Sequence, residues 1–298
     1  MAEMKKAELV LIPAASVAHL VPCVEFANLL ITQNNNLSIT ILIMHLPFGT
    51  SILSFKNSLA ESLDPRIKFI DLKPEVTTDP SSQKSPPTIH MFSQFLNSRK
   101  PLVKEILAEL SKSENCKLAG VVFDVLYTSM FDVAIEFEVP YYVFSPFGAS
   151  MIALMSHLQS LRDDHNVDVN DLKVSEIDVP AYINPVPTRV LPSMLLYKEG
   201  GRNVFLDVAK RYRAAKGIII NSFNELETQA IEALSKDANL PPVYAVGPLL
   251  NHKGGKWNDN QKQQQQQEGV QSIKKCQLCQ GLNCPMLSVF RVIHPMNA

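Results

Sequence analysis

The sequence predicts a doubly wound, Rossmann-like α/β domain built on a parallel sheet. Short and almost continuously apolar runs recur through the first 250 residues, and segments with apolar residues at helical spacing separate them. Apolar runs without a polar face are typical of parallel strands that helices cover on both sides. The chain has 298 residues, of which 46% are hydrophobic and 19% charged, which fits a globular protein with a substantial core.

Each predicted element follows from its local pattern. The predicted strands are 9–12, 38–44, 67–72, 118–123, 141–145, 217–221 and 243–248. The predicted helices are one that starts near residue 19, then 50–62, 89–113, 129–137, 148–161, 203–214 and 225–234. Two segments rich in proline, 73–88 and 165–202, are expected to be a loop and an irregular stretch.

His19 is the first candidate for chemistry. It follows the first strand across a loop of small residues and stands near the start of a helix. Open α/β sheets bind ligands at the carboxyl ends of their strands, and the helix dipole disfavours an imidazolium there. A neutral imidazole at that place can take a proton near pH 7. The alternative is a helix-start histidine in contact with solvent.

Asp124 is the second candidate, because it ends the fourth predicted strand and so lies at the same edge of the sheet. A carboxylate within reach of His19 would fix its tautomer and stabilise its charged form, as in catalytic triads but without a nucleophilic serine. The alternative is a helix N-cap for the segment that begins near Tyr127.

Several function classes are disfavoured by what the sequence lacks. It contains no G-x-G-x-x-G, no G-x-x-x-x-G-K-[ST] and no G-x-S-x-G motif, which disfavours dinucleotide-binding proteins, P-loop proteins and α/β-hydrolases. The net charge of −1 gives no sign of a nucleic-acid surface or a polybasic membrane anchor, and no apolar run is long enough to cross a bilayer.

The N-terminus and the cysteines bear on location. Lys5 and Lys6 precede an apolar stretch that could mimic a signal peptide, but Glu8 and Pro13 interrupt it, so a first strand fits better. The isolated Cys23 and a similarly isolated Cys116 suit a reducing compartment. We therefore expect a cytoplasmic protein.

The last part of the chain, 253–298, differs in character from the rest. It is polar and contains an uninterrupted glutamine run, so we expect it to be largely disordered. Cys276, Cys279 and Cys284 suggest a zinc site as an alternative, but their spacing with His294 matches no ordinary zinc motif, and we expect no bound metal.

Five segments carry a family resemblance. In order along the chain they are 13–27, 121–130, 186–192, 215–227 and 242–250. Together they resemble the plant family-1 UDP-dependent glycosyltransferases of small metabolites, and the resemblance covers roughly residues 7–252. It implies the acceptor-binding, N-terminal half of the two-domain GT-B fold.

The resemblance also implies the chemistry. His19 would be the general base and Asp124 its partner in the inverting transfer of a sugar, glucose, from a UDP-sugar co-substrate to a hydroxyl of a small metabolite such as a flavonoid. His19, Phe123 and Phe147 would contact this acceptor. Ser145 and Pro146 would lie near the sugar donor. No cofactor, metal, nucleic acid or membrane partner is expected, and the chain would be a monomer.

Three departures from the family pattern matter. The loop 14–18 lacks the usual glycines, and Pro146 stands where a threonine is usual. The family's donor-binding motif is missing, so residues 1–252 would form an acceptor domain and 253–298 an atypical tail in place of the donor domain. Two hypotheses follow: a working glycosyltransferase, or an inactive truncated fragment that binds only the acceptor.

Overall fold

A computed structural model describes residues 6–46, 52–61, 63–72, 89–167, 175–192, 195 and 201–250. The predictions for the loop 73–88 and for the tail 253–298, with its cysteines, lie outside these residues. None of the helices in the described ranges is long and apolar enough to cross a membrane.

The strands of the described chain form one large parallel sheet and one small hairpin-like pair. They are β1 (Lys6–Ile12), β2 (Leu37–Met44), β3 (Ile67–Leu72), β4 (Cys116–Asp124), β5 (Tyr141–Ser145), β6 (Glu176–Ile177), β7 (Val186–Pro187), β8 (Ile218–Ile220) and β9 (Val243–Ala245). The large sheet has the order β3-β2-β1-β4-β5-β8-β9, and all of its pairs are parallel. The short β6 and β7 pair antiparallel outside it.

Helices cover both faces of the large sheet. They are α1 (Val17–Gln33), α2 (Leu53–Ala60), α3 (Ile89–Lys112), α4 (Phe131–Glu136), α5 (Ala149–His165), α6 (Gly201–Tyr212) and α7 (Asn224–Lys236). Apolar residues of α1 and α2 cluster with Leu9 and Leu11 of β1. Apolar residues of α3 to α7 cluster instead with Val10 and Ile12, which point to the other face. The predicted doubly wound α/β class is confirmed.

The order of the strands creates a crevice between β1 and β4. From β1 the chain adds β2 and β3 on one side, and from β4 it adds the remaining strands on the other. Ile12 lies opposite Phe123 in the register, so both strands end at the same level. Loops that leave two such strands in opposite directions open a crevice, which is where doubly wound sheets bind ligands.

Candidate active site

His19 and Asp124 meet in this crevice. The Nδ1 atom of His19 lies 2.7 Å from Oδ2 of Asp124, which confirms the predicted contact. A carboxylate oxygen accepts hydrogen bonds, so this contact assigns the donated proton to Nδ1 and leaves Nε2 as the ring nitrogen that can take a proton. The alternative of a solvent-facing histidine is wrong, because His19 is 7% exposed and Asp124 1% exposed.

Asp124 also shapes the turn that follows β4. Its Oδ1 atom accepts the backbone N–H of Leu126 at 3.0 Å, and its carbonyl oxygen accepts the N–H of Tyr127 at 2.8 Å. A one-turn 3-10 helix, Thr128–Met130, comes next and receives no side-chain cap. The capping alternative is therefore wrong in detail, since Asp124 stabilises the turn before this helix and keeps its second oxygen for His19.

The loop between β1 and α1 is tied to the turn after β4. The N–H of Ala15 donates to the hydroxyl oxygen of Tyr127 at 3.0 Å. The carbonyl oxygen of Ser16 then accepts the N–H groups of His19 and Leu20, at 3.2 and 2.9 Å, which begins α1. His19 thus sits in the first turn of the helix at a fixed distance from β4.

Of the two phenylalanines predicted to contact the acceptor, only Phe147 faces the crevice. Its ring meets the His19 ring edge to face, with centroids 5.2 Å apart and planes at 90°, and the residue is 37% exposed. Phe123 is completely buried and packs on Phe131 in the core. Neighbouring residues of a strand point to opposite faces, so the strand that brings Asp124 to the crevice turns Phe123 away from it. The Phe123 ring is therefore not exposed at the crevice, and the structure offers no surface for its predicted contact with the acceptor.

The two predicted donor contacts form the turn before α5. Ser145 is completely buried, and its hydroxyl donates to the carbonyl oxygen of Phe147 at 3.2 Å. Pro146 is half-buried in the same turn. The Ser145 hydroxyl thus holds Phe147 in place and offers no surface to a sugar in this arrangement, and a donor contact by Pro146 stays a prediction.

Comparison with known proteins supports one family, although no protein-family model matches the chain. UDP-glycosyltransferase 100 of Panax ginseng is 40% identical over 258 residues, which are 86% of this chain and 54% of the relative. UDP-glucose flavonoid 3-O-glucosyltransferase 6 of Fragaria ananassa is 44% identical over 263 residues, covering 84% of this chain and 53% of the relative. Over these residues, the chain is similar in sequence to plant UDP-glycosyltransferases.

A solved structure agrees with this assignment. UGT71G1 of Medicago truncatula, crystallised in complex with UDP-glucose, matches with a TM-score of 0.70 and 34% identity over 91% of this chain and 57% of that one. The expected resemblance to part of a GT-B glycosyltransferase is thereby confirmed. The chain spans about half the length of the curated relatives it matches.

The charge of Asp124 acts on three of its buried neighbours. Burial, and after it the negative charge of Asp124, raises the pKa of the Cys23 thiol and of the Tyr212 hydroxyl. Burial also raises the pKa of Tyr127. The hydrogen bond from Ala15 lowers this pKa in part, and the charge of Asp124 raises it further. All three groups stay protonated at neutral pH, so none of them competes with Asp124 as an anion beside His19.

A second histidine–aspartate pair lies at the same edge of the sheet. The Nε2 atom of His45, just after β2, is 2.9 Å from Oδ1 of Asp71 near the end of β3, and Lys56 of α2 pairs with the other oxygen. The lysine neutralises this carboxylate, and both carboxylate oxygens of Asp71 have a partner, which is typical of a structural ion pair. Within the described residues, no group of three or more metal-ligating side chains comes together.

Sequence reasoning missed Glu227. Its carboxylate lies at the N-terminus of α5 and accepts hydrogen bonds there, although the residue belongs to α7. An acidic residue in the first turn of a predicted helix is expected to complement that helix's own dipole. Nothing in the local pattern shows that Glu227 serves a different helix, because this contact spans 78 positions of the chain.

Proposed function

We propose that this chain supplies the acceptor site and the general base for transfer of glucose from a UDP-sugar to a hydroxyl of a small plant metabolite such as a flavonoid. The buried contact of 2.7 Å between His19 and Asp124 in the crevice between β1 and β4 carries the proposal. The flavonoid glucosyltransferase among its relatives supports the choice of donor and acceptor class.

The mechanism follows from the two ends of the imidazole. Asp124 accepts the hydrogen bond that Nδ1–H donates, which leaves Nε2 to take the proton of the acceptor hydroxyl. The acceptor oxygen then forms a bond to the anomeric carbon while the bond between this carbon and UDP breaks, which inverts the carbon. UDP leaves with the electron pair of that bond, and the proton stays on His19.

Asp124 contributes by offsetting the charge that His19 gains. The N-terminus of α1 disfavours an imidazolium ring, whereas a buried carboxylate at hydrogen-bonding distance stabilises it. General-base help of this kind contributes about 10²- to 10⁴-fold to a rate.

The apolar surface beside His19 suits an aromatic acceptor. Phe147 presents a partly exposed ring against the imidazole, and Val17 in the first turn of α1 is also exposed. Aromatic rings favour edge-to-face and offset contacts with one another, so a phenolic ring can lie on Phe147 with its hydroxyl near Nε2. The expectations of a cytoplasmic monomer without metal or nucleic acid stay predictions.

The test is an assay of the purified chain with UDP-glucose and quercetin, with the glucoside measured by mass spectrometry. Because the family's donor-binding motif is missing, we expect far less product from the unaltered chain than from a full-length relative, and a further loss of about 10²- to 10⁴-fold in His19→Ala. His45→Ala is the matched control, because it removes a histidine paired with an aspartate at the same sheet edge. Quercetin binding without product would favour the acceptor-only alternative, and equal product from His19→Ala would refute the role of the base.

A further inference from the structure

Glu227 connects three elements beside the candidate site. Its two carboxylate oxygens accept the backbone N–H groups of Ala149 and Ser150, at 2.8 and 2.9 Å, in the first turn of α5. The hydroxyls of Ser150 and of Ser222, which follows β8, donate to the same carboxylate. One side chain of α7 thus accepts hydrogen bonds from backbone N–H groups that have no partner within α5. The same side chain links the start of α5 to the end of β8.

The surrounding backbone accommodates this carboxylate. Glu227 itself departs from helical geometry, with φ −132° and ψ 44°, which kinks α7 near its start. On the other side, a Cβ atom at Gly148 would lie 2.5 Å from Oε2 of Glu227. A side chain at position 148 would therefore displace the carboxylate, and only glycine leaves the space that Glu227 occupies.

The residues that Glu227 holds lead directly to His19. Phe147 precedes Gly148, its carbonyl oxygen is held by the Ser145 hydroxyl, and its ring contacts the imidazole. We infer that Glu227 is a positioning residue: its hydrogen bonds to the first turn of α5 hold the Phe147 ring against His19. For its effect on acceptor binding this inference rests on the proposed function, but the contact can be tested without any substrate.

Electrostatics favours the same arrangement. Burial would raise the pKa of the Glu227 carboxyl, but hydrogen bonds from Ser150, Ser222 and Ala149 together hold it below its ordinary value. The group is therefore ionised at neutral pH, and a negative charge at the N-terminus of α5 also complements the dipole of that helix. Burial, and after it the charge of Glu227, raises the pKa of Tyr182, whose hydroxyl donates to the carbonyl oxygen of Ser150.

The test compares Glu227→Gln with three other variants. An amide has one acceptor oxygen and an NH₂ group that would face the N–H donors, so Gln cannot replace the carboxylate. Glu232→Gln is the matched control, since Glu232 lies on the same helix and pairs with the exposed Lys236. Thr40→Val is a control for lower stability, because Thr40 is buried in β2 away from the crevice. Phe147→Leu shows the effect of losing the ring.

The first measurement is the NMR shift of the His19 ring protons in histidine-labelled protein, assigned by their loss in His19→Ala. The Phe147 ring current acts on these protons, so we expect Glu227→Gln to move them toward their position in Phe147→Leu. Both Glu232→Gln and Thr40→Val should leave them in place. Unmoved signals in Glu227→Gln, or an equal movement in Thr40→Val, would overturn the inference.

The second measurement is the dissociation constant for quercetin. We expect it to rise about 2- to 10-fold in Glu227→Gln, the range that one aromatic contact supports, and to stay unchanged in the two controls. If the unaltered chain binds no quercetin while the His19 signals still respond, the positioning role stands and the acceptor site of the proposed function fails.

A milder variant covers the case in which Glu227→Gln does not fold. Ser222→Ala removes one of the four donors to the carboxylate and leaves the other three. It should move the His19 signals in the same direction by a smaller amount. Signals identical to those of the unaltered chain in folded Ser222→Ala, together with loss of folding in Glu227→Gln, would assign Glu227 a structural role only and refute the inference.

Discussion

Ala15 and Tyr127 are 112 positions apart in the chain, and the N–H of one donates to the hydroxyl oxygen of the other at 3.0 Å. The first lies in the loop that leads to His19, and the second in the turn that follows Asp124. The centroid of the Phe92 ring in α3 lies 6.1 Å from that of the Tyr127 ring, within the range of an aromatic pair. The two walls of the crevice are thus fastened to each other close to the catalytic pair we propose.

Tyr127→Phe should loosen this crevice. The substitution keeps the ring but leaves the partly buried N–H of Ala15 without its acceptor, which costs about 1–3 kcal/mol of the free energy of unfolding. We expect a lower midpoint in urea and weaker quercetin binding. Tyr141→Phe is the control, because Tyr141 begins β5 at the opposite edge of the sheet. Equal effects of the two substitutions would show that the hydroxyl of Tyr127 has no special role.

Asp124→Asn should abolish the base while keeping the shape of the site. The amide oxygen can still accept the N–H of Leu126, but its NH₂ group then faces His19 and favours the tautomer protonated at Nε2. A base already protonated at that atom cannot take the acceptor's proton, and a change of this kind in serine-protease triads costs about 10⁴-fold. The measurement is the rate of glucoside formation beside that of unaltered chain. Retained activity would contradict the orienting role of Asp124.

Thr40→Val should destabilise the fold without altering the site. Glu8 is buried in β1, and its carboxylate accepts hydrogen bonds from the hydroxyls of Ser38 and Thr40 on β2. Valine matches the shape of threonine but leaves one carboxylate oxygen without a donor, at a cost of about 1–3 kcal/mol. Urea unfolding should report this loss, and quercetin binding should stay as it is. A change in stability below about 0.5 kcal/mol would show that the hydroxyl contributes little.

Acid should remove the stabilisation that Glu227 provides. Its pKa is held below the ordinary value of 4.5, so the folded state gains stability above that pH and loses it as the pH falls through the lowered pKa. The difference in unfolding free energy between the unaltered chain and Glu227→Gln should be constant from pH 7 to about 5 and shrink below the ordinary pKa. Urea titrations at pH 7, 5 and 3 measure it. Other acidic groups titrate in both proteins and cancel in the comparison, so a difference independent of pH would contradict the prediction.

Local pattern predicted most of the elements of the described chain. The strand at 141–145 has the predicted bounds, and β2 begins one residue earlier than expected. Helix α5 was expected to end at residue 161 and continues to His165, where Asn166 adopts a left-handed conformation and its N–H bonds to the carbonyl oxygen of Leu161. The polar residues at 162–165 look like a loop in sequence, but they form ion pairs such as that of Arg162 with Asp207 of α6.

The sequence by itself determined the α/β class and the order of most elements, and it predicted the family resemblance and made His19 and Asp124 candidates for one site. Apolar periodicity is a local property, and two groups that each follow a parallel strand must lie at one edge of the sheet. Only the tertiary structure decided that Phe147 faces the imidazole, that Phe123 points into the core, and that Glu227 caps a helix other than its own. These facts depend on which face a strand presents and on hydrogen bonds between residues far apart in the chain, and no local pattern carries that information.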